Sequence, residues 1–161
     1  MFDRFGEFDS AAEINETAVN LRKEGDLDSL KVLAKENGID PDVLEAFIDG
    51  SLLYICDAMS AAIGKIEVEA KELKCTEIMS DWVEYIKAQC MERPEMADRV
   101  RRKGKSLAGC VAEILKWSFA HQIKVGKEIM KAAGVTAGRC TLGIPGMETA
   151  KKLIQGYYMG R

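Results

Sequence analysis

The stretch SAAEINETAVNLRKEG, Ser10 to Gly25, sets the reading of the chain. Ser10 with Glu13 three positions on is a capping box: the hydroxyl takes an orphan N–H of the first turn, and the carboxylate reaches back to the N-cap. Ile14, Ala18 and Leu21 follow at helical spacing, and Gly25 supplies the stop. The same grammar repeats downstream. Leu27 to Asn37 carries Leu27, Leu30 and Leu33 on one face and ends at Gly38. Asp40-Pro41 gives an N-cap with proline at the first helical position, opening a helix with Val43, Leu44, Phe47 and Ile48 that stops near Asp49-Gly50.

From Ser51 a longer helical pattern runs through Leu52, Ile55, Met59, Ala62 and Ile63, weakened at Gly64. Ile66, Val68 and Ala70 alternate as in a strand, but the Glu, Lys and Ala around them favour helix. Thr76 to about Met91 is a helix with a stripe of Ile78, Trp82, Tyr85, Ile86 and Gln89. Pro94 breaks it, and Glu95 to Lys103 forms the next, ended by Gly104. Ser106 caps the most apolar helix, Leu107 to about His121, with Cys110, Val111, Ile114, Trp117 and Phe119 facing inward. A short helix covers roughly Gly126 to Ala133, and Val135 to Gly146 is a glycine-rich loop. The last helix, from Met147, buries Ala150, Leu153, Ile154 and Tyr157. The expected fold is all-α, a compact bundle of about seven to eight helices. An acidic three-helix subdomain over 1–50 precedes a helical subdomain over 51–161 with a basic surface.

With 161 residues, 47% hydrophobic and 30% charged, the chain is long enough to bury a core without staples. No apolar run approaches the ~20 residues of a membrane span, and the N-terminal residues lack a signal peptide's basic region and apolar core. The expected location is the cytoplasm, with no membrane partner. Cys56, Cys75, Cys90, Cys110 and Cys140 are odd in number and widely spaced, so they form neither a metal motif nor a disulfide framework. They are expected to be reduced, semi-buried small hydrophobes.

Charge is sorted along the chain. Residues 1–92 hold 21 acidic and 9 basic side chains, a balance of −12; residues 93–161 hold 5 and 14, a balance of +9. Such asymmetry concerns partners and association rates. The basic stretch contains Arg93, Arg99, Arg101, Arg102, Lys103 and Lys105. Glu95–Arg99 and Asp98–Arg102 stand at i,i+4, which leaves Arg93, Arg101, Lys103 and Lys105 as free cations that could track phosphates. A solvated face and a nucleic-acid or acidic-protein contact account for this run equally well. Arg139, the one charge of the glycine-rich loop, is a secondary contact candidate. The loop's Gly143-x-x-Gly146 lacks the context of a KH domain, and no P-loop lysine is present.

On the acidic side Asp40, Asp42, Glu45 and Asp49 cluster on and before one short helix. They read either as a solubilising surface or as a patch that docks on a basic groove. Phe2, Phe5, Phe8 and Tyr54 could anchor such a contact, with core packing the simpler role. His121, the single histidine, ends the Trp117 helix as a capping or boundary residue, its charged form favoured by the helix C-terminus. It has no nucleophile or orienting acid in a recognisable motif. No catalytic residue, metal ligand or cofactor is nominated, and the expectation is a binding protein without enzymatic activity.

Lys103-x-Lys105-Ser106-Leu107-x-Gly109-Cys110-x-x-x-Ile114, followed by a short helix, resembles the core of PcfK-like proteins over about 30 of the 161 residues. Those small proteins are carried on conjugative plasmids and related mobile elements of Gram-positive bacteria, and relatives include an anti-CRISPR inhibitor of a type II RNA-guided nuclease. The resemblance implies a mobile-element or phage accessory protein whose partner is a CRISPR effector nuclease or its guide complex. The alternative is a DNA-binding accessory protein of conjugation or replication. A third option is a homo-oligomer with the acidic half of one copy on the basic half of another.

Overall fold

The computed structural model describes residues 1–160, which contain nine helices and one two-stranded sheet. In chain order the elements are α1 (Ala11–Glu24), α2 (Leu27–Glu36), α3 (Pro41–Ile48), α4 (Ala58–Glu72), α5 (Ile78–Glu92), α6 (Pro94–Arg101), α7 (Leu107–Ala120), β1 (Ile123–Lys124), α8 (Lys127–Ala132), β2 (Thr141–Leu142) and α9 (Met147–Met159). The protein is all-α. No helix is long and apolar enough to cross a membrane.

The caps are where local chemistry puts them. Ser10 accepts from Glu13 N, and Glu13 returns a bond by accepting from Asp9 N at 2.7 Å. Gly25 closes α1 at φ 73°. Asp26, Asp40 and Ser106 cap α2, α3 and α7 through side-chain oxygens.

Two apolar cores meet along α4. Ile14, Ala18, Leu30, Leu33 and Phe47 of the first three helices pack with Ala61. The adjacent Ala62, with Ile66, faces Trp82, Ile86, Met96 and Ile114 in the second core. The alternating Ile66-Val68-Ala70 segment is helical, inside α4.

The expected helix from Ser51 does not begin until Ala58. Asp57 forms a full capping box with Ser60 and fixes the start there. The backbone before it is held by side chains of α1 instead. Asn15 accepts from Ile55 N and Cys56 N and donates to Cys56 O. Arg22 Nη1 donates to Phe47 O at 2.6 Å and to Leu52 O at 3.3 Å. A segment whose polar backbone groups are met this way needs no helical bonds.

At the other end, residues 121–146 form an arm. β1 pairs antiparallel with β2, Ile123 opposite Leu142, and α8 lies between them. Only Pro145 of the arm is buried. Val135–Gly146 is otherwise the expected loop. Gly143 seats the arm on α7: a Cβ there would stand 2.7 Å from Ser118 O.

Gly64 is a close-approach glycine. A Cβ on it would strike the Asn37 carbonyl oxygen, where the α2–α3 turn crosses α4. Gly156 in α9 has open space around its Cβ position. Gly64→Ala is therefore expected to destabilise by about 1–3 kcal/mol through backbone overlap. Gly156→Ala is expected to stabilise by about 1 kcal/mol through helix propensity alone. Urea unfolding of the two variants should give opposite signs; equal signs would contradict a tight crossing of the α2–α3 turn over α4.

Candidate partner-binding surfaces

The basic stretch does not form one patch. Arg101, expected as a free cation, is 1% exposed. Its Nη2 donates to Asn37 Oδ1 at 2.9 Å and its guanidinium lies 5.7 Å from the Phe2 ring centroid. Nε and Nη1 find no partner among the described residues. Burial pushes the guanidinium's pKa below its ordinary value, opposed by the charges of Glu7 and Glu69. Arg101 sits on the inward stripe of α6 with Ala97 and Val100, and spacing on that helix would have revealed it.

Lys105, half-buried, is also turned inward: its Nζ donates to Tyr157 O at 2.6 Å and lies over the Tyr157 ring. Arg93 is half-buried and faces Glu95 at 3.9 Å. Neither expected i,i+4 pair of α6 forms an ion pair among the described residues. Arg102 and Lys103 remain exposed.

The backbone of this loop is occupied by acids of the N-terminal segment. Lys103 N donates to Asp9 Oδ1 at 2.9 Å and Gly104 N to Glu7 Oε2 at 3.3 Å. Beneath the loop, the fully buried Lys65 ammonium pairs with Glu7 and donates to the carbonyls of Arg102 and Lys105. Glu69 lies 3.9 Å from that ammonium and accepts from Leu107 N. Burial raises the Glu69 carboxyl pKa above its ordinary value, against the opposing pull of Leu107 N–H and Lys65.

The acidic group is where a partner could reach it. Asp40, Asp42, Glu45 and Asp49 are all exposed. Asp40 accepts from Asp42 N and Asp49 from Ser51 N, so these two also end-cap α3 and its following turn. Hydrogen bonding from the Ser51 hydroxyl, and then from its N–H, holds Asp49 below the usual carboxylate range. Next to them Leu53 and Tyr54 are 72% and 63% exposed. Phe2, Phe5 and Phe8 are half-buried.

A second surface was not nominated from sequence. Phe119, expected inward, is 75% exposed. It lies about 140° around the helix from Ile114 at 100° per residue, off the buried stripe. Val111, Leu115 and Phe119 instead form a second stripe that lines an apolar groove with Ile78, Trp82 and Ile144. The adjoining arm carries Lys124, Lys127, Lys131 and the nominated Arg139, all exposed and without ion pairs among the described residues. Counting charge by segment would have found them: residues 121–146 hold four cations and one acid, Glu128.

His121 ends α7 as expected. Its N–H and Nδ1 both meet Trp117 O, and its ring stacks on Trp117 at 4.3 Å. Burial pushes the thiols of Cys56 up to about 11 and of Cys90 and Cys110 up to about 12, which leaves them protonated at neutral pH. No group of three or more His, Cys, Asp or Glu side chains among the described residues is placed to hold a metal. Comparison with family models, with curated proteins and with solved structures finds no match.

Two outcomes follow for the loop. Arg101→Ala should cost about 2–4 kcal/mol by emptying buried volume and orphaning Asn37, whereas Lys103→Ala should stay within about 0.5 kcal/mol, both read by chemical unfolding. A carboxyl with a raised folded pKa binds more protons folded than unfolded, so its contribution to stability falls as pH rises through the unfolded value, 4.5, toward the folded one. The stability of wild type relative to Glu69→Gln should therefore decline from pH 4 upward; a rise would contradict the burial-dominated shift.

Proposed function

We propose that this chain is a non-enzymatic accessory protein of a mobile element or phage that binds and inhibits an RNA-guided CRISPR nuclease. The observation that carries the reading is the exposed, opposed charge of two places in the fold. Residues 40–57 hold five acids and no lysine or arginine, around the exposed Leu53 and Tyr54. The arm of residues 121–146 holds four cations to one acid. A guide-loaded nuclease presents both signs, a positively charged channel and exposed nucleic-acid backbone. Asp40, Asp42, Glu45 and Asp49 would stand in for phosphates in the channel while the arm contacts guide or target strand. Electrostatic complementarity of this kind speeds encounter and fixes orientation. The likeness of Lys103–Ile114 to PcfK-like proteins supports this target class.

A second reading, a DNA-binding accessory protein of conjugation or replication, draws on the same Lys124, Lys127, Lys131 and Arg139 together with Arg102 and Lys103. These cations would grip phosphates, with affinity falling steeply as salt rises.

A cleavage assay over several type II nucleases tests the first reading. Excess protein should suppress cleavage. Asp42→Asn with Glu45→Gln and Asp49→Asn should weaken inhibition by roughly tenfold, as exposed ion pairs contribute about 0.2–1 kcal/mol each. Unimpaired cleavage by every nuclease would sink the inhibitor reading. Fluorescence anisotropy with duplex and single-stranded DNA at ~50 mM salt tests the second, and absence of binding there would reject it.

A further inference from the structure

We propose that copies of this chain associate head to tail, the Leu53-Tyr54 knob of one copy seated in the apolar groove of the next. This inference stands apart from the identity of any nuclease or nucleic-acid target.

The knob is a built feature. Arg22 holds the carbonyls of Phe47 and Leu52, Leu52 N donates to Ala46 O at 2.9 Å, and Asn15 takes the amides of Ile55 and Cys56. Ile55 is 2% exposed and anchors the loop from within. Both sides of the loop are thus fixed, and Leu53 and Tyr54 are held outward on a rigid base. Presenting apolar side chains this way lowers the entropy lost on docking.

The groove lies between α5 and α7 with β2's following residues as its third wall. Ile78, Trp82, Ile114, Leu115, Phe119 and Ile144 line it, and its volume is about 530 Å³, enough for large side chains. Within a single chain the knob and the groove both stay exposed, so neither covers the other.

Charge selects the occupant. Residues 40–57, the segment that carries the knob, hold five acids and no cation, while Arg22 binds the base of the knob and Lys23 lies beside Tyr54. Residues 115–147, from the groove through the arm, carry Lys116, Lys124, Lys127, Lys131 and Arg139 against Glu128 alone. Pairing knob with knob, or arm with arm, would oppose like charges; pairing knob with groove brings opposite ones together. Glu77 and Asp81, next in sequence to the lining residues Ile78 and Trp82, are exposed and disfavour an incoming acid on the α5 side. Because the two surfaces differ, the contact is heterologous, and repetition gives a ring or an open chain.

Sedimentation of the full chain over a concentration series, at ~50 mM and ~0.5 M salt, reads the association. Mass should rise with concentration at low salt and fall back toward monomer at high salt. Leu53→Ser with Tyr54→Ser removes the knob; Leu115→Ser with Phe119→Ser opens the groove. Each variant alone should be monomeric, and their equimolar mixture should give a 1:1 dimer and nothing larger, since one intact knob then meets one intact groove. A wild type that stays monomeric at ~50 mM salt, or a mixture that stays monomeric, overturns the proposal. If either serine variant loses its helical circular dichroism, Lys124→Glu with Lys127→Glu replaces it; association unchanged in that variant would equally overturn it.

Discussion

The arrangement of the chain depends on one buried ammonium. Lys65 sits in the middle of α4 with its Nζ removed from water, and an uncompensated ion there would cost several kcal/mol. It is compensated by Glu7 from the N-terminal segment, by the carbonyls of Arg102 and Lys105, and by Glu69 one turn along α4. Three segments remote in sequence must converge for this to happen. Their convergence places the α6–α7 loop, starts α7 beside Glu69, and draws the first nine residues across the junction of the two cores.

That convergence explains why the basic stretch is not a basic patch. The loop after α6 ends a helix, so it offers carbonyls inward to a cation and amides outward to anions. Lys65 takes the first set, and Glu7 and Asp9 take the second. Arg101 is consumed by the adjacent contact between α6 and the α2–α3 turn, where Asn37 meets it. What stays available to a partner is Arg102 and Lys103 there, and the separate cations of the arm. The sorted charge of the sequence therefore has two meanings: on the C-terminal side part of it is internal structure, while around α3 it is surface.

Much of the fold was legible because helix ends carry local chemistry. Ser10, Asp40-Pro41, Ser106 and Gly25 mark boundaries through hydrogen bonds made within a few residues, and these need no tertiary knowledge. The apolar stripes of α5 and α9 were legible from their helical period, with Tyr158 buried where its neighbour Tyr157 was expected. The loop over Ser51–Asp57 was not, since Arg22 and Asn15 hold it from positions 30 to 41 residues away. Buried Lys65 was illegible, because lysine is read as surface until its partners are known, whereas Arg101 was marked by its spacing from Ala97 on α6. Of the candidate site, the acids around α3 were placed on the surface from sequence. The groove was not, though the second stripe at Val111, Leu115 and Phe119 was present in the spacing.

Two exposed apolar features on one small chain ask for a physical reason. Scattered exposed leucines need none, but the loop of Leu53 and Tyr54 is held by two side chains, Arg22 and Asn15, and the groove is walled by two helices and a strap. Solvation alone would let each collapse inward at little cost, so rigidity is the informative property. The segment of the knob is mainly acidic and the arm beside the groove mainly basic, with Lys23 beside Tyr54 and Glu77 and Asp81 on α5 as the exceptions. An apolar centre supplies affinity without selectivity, and a one-signed border supplies selectivity by repelling its own kind. A border of that kind disfavours pairing of like with like. In the proposed head-to-tail contact the acids near α3 and the cations of the arm narrow what the knob and the groove can hold.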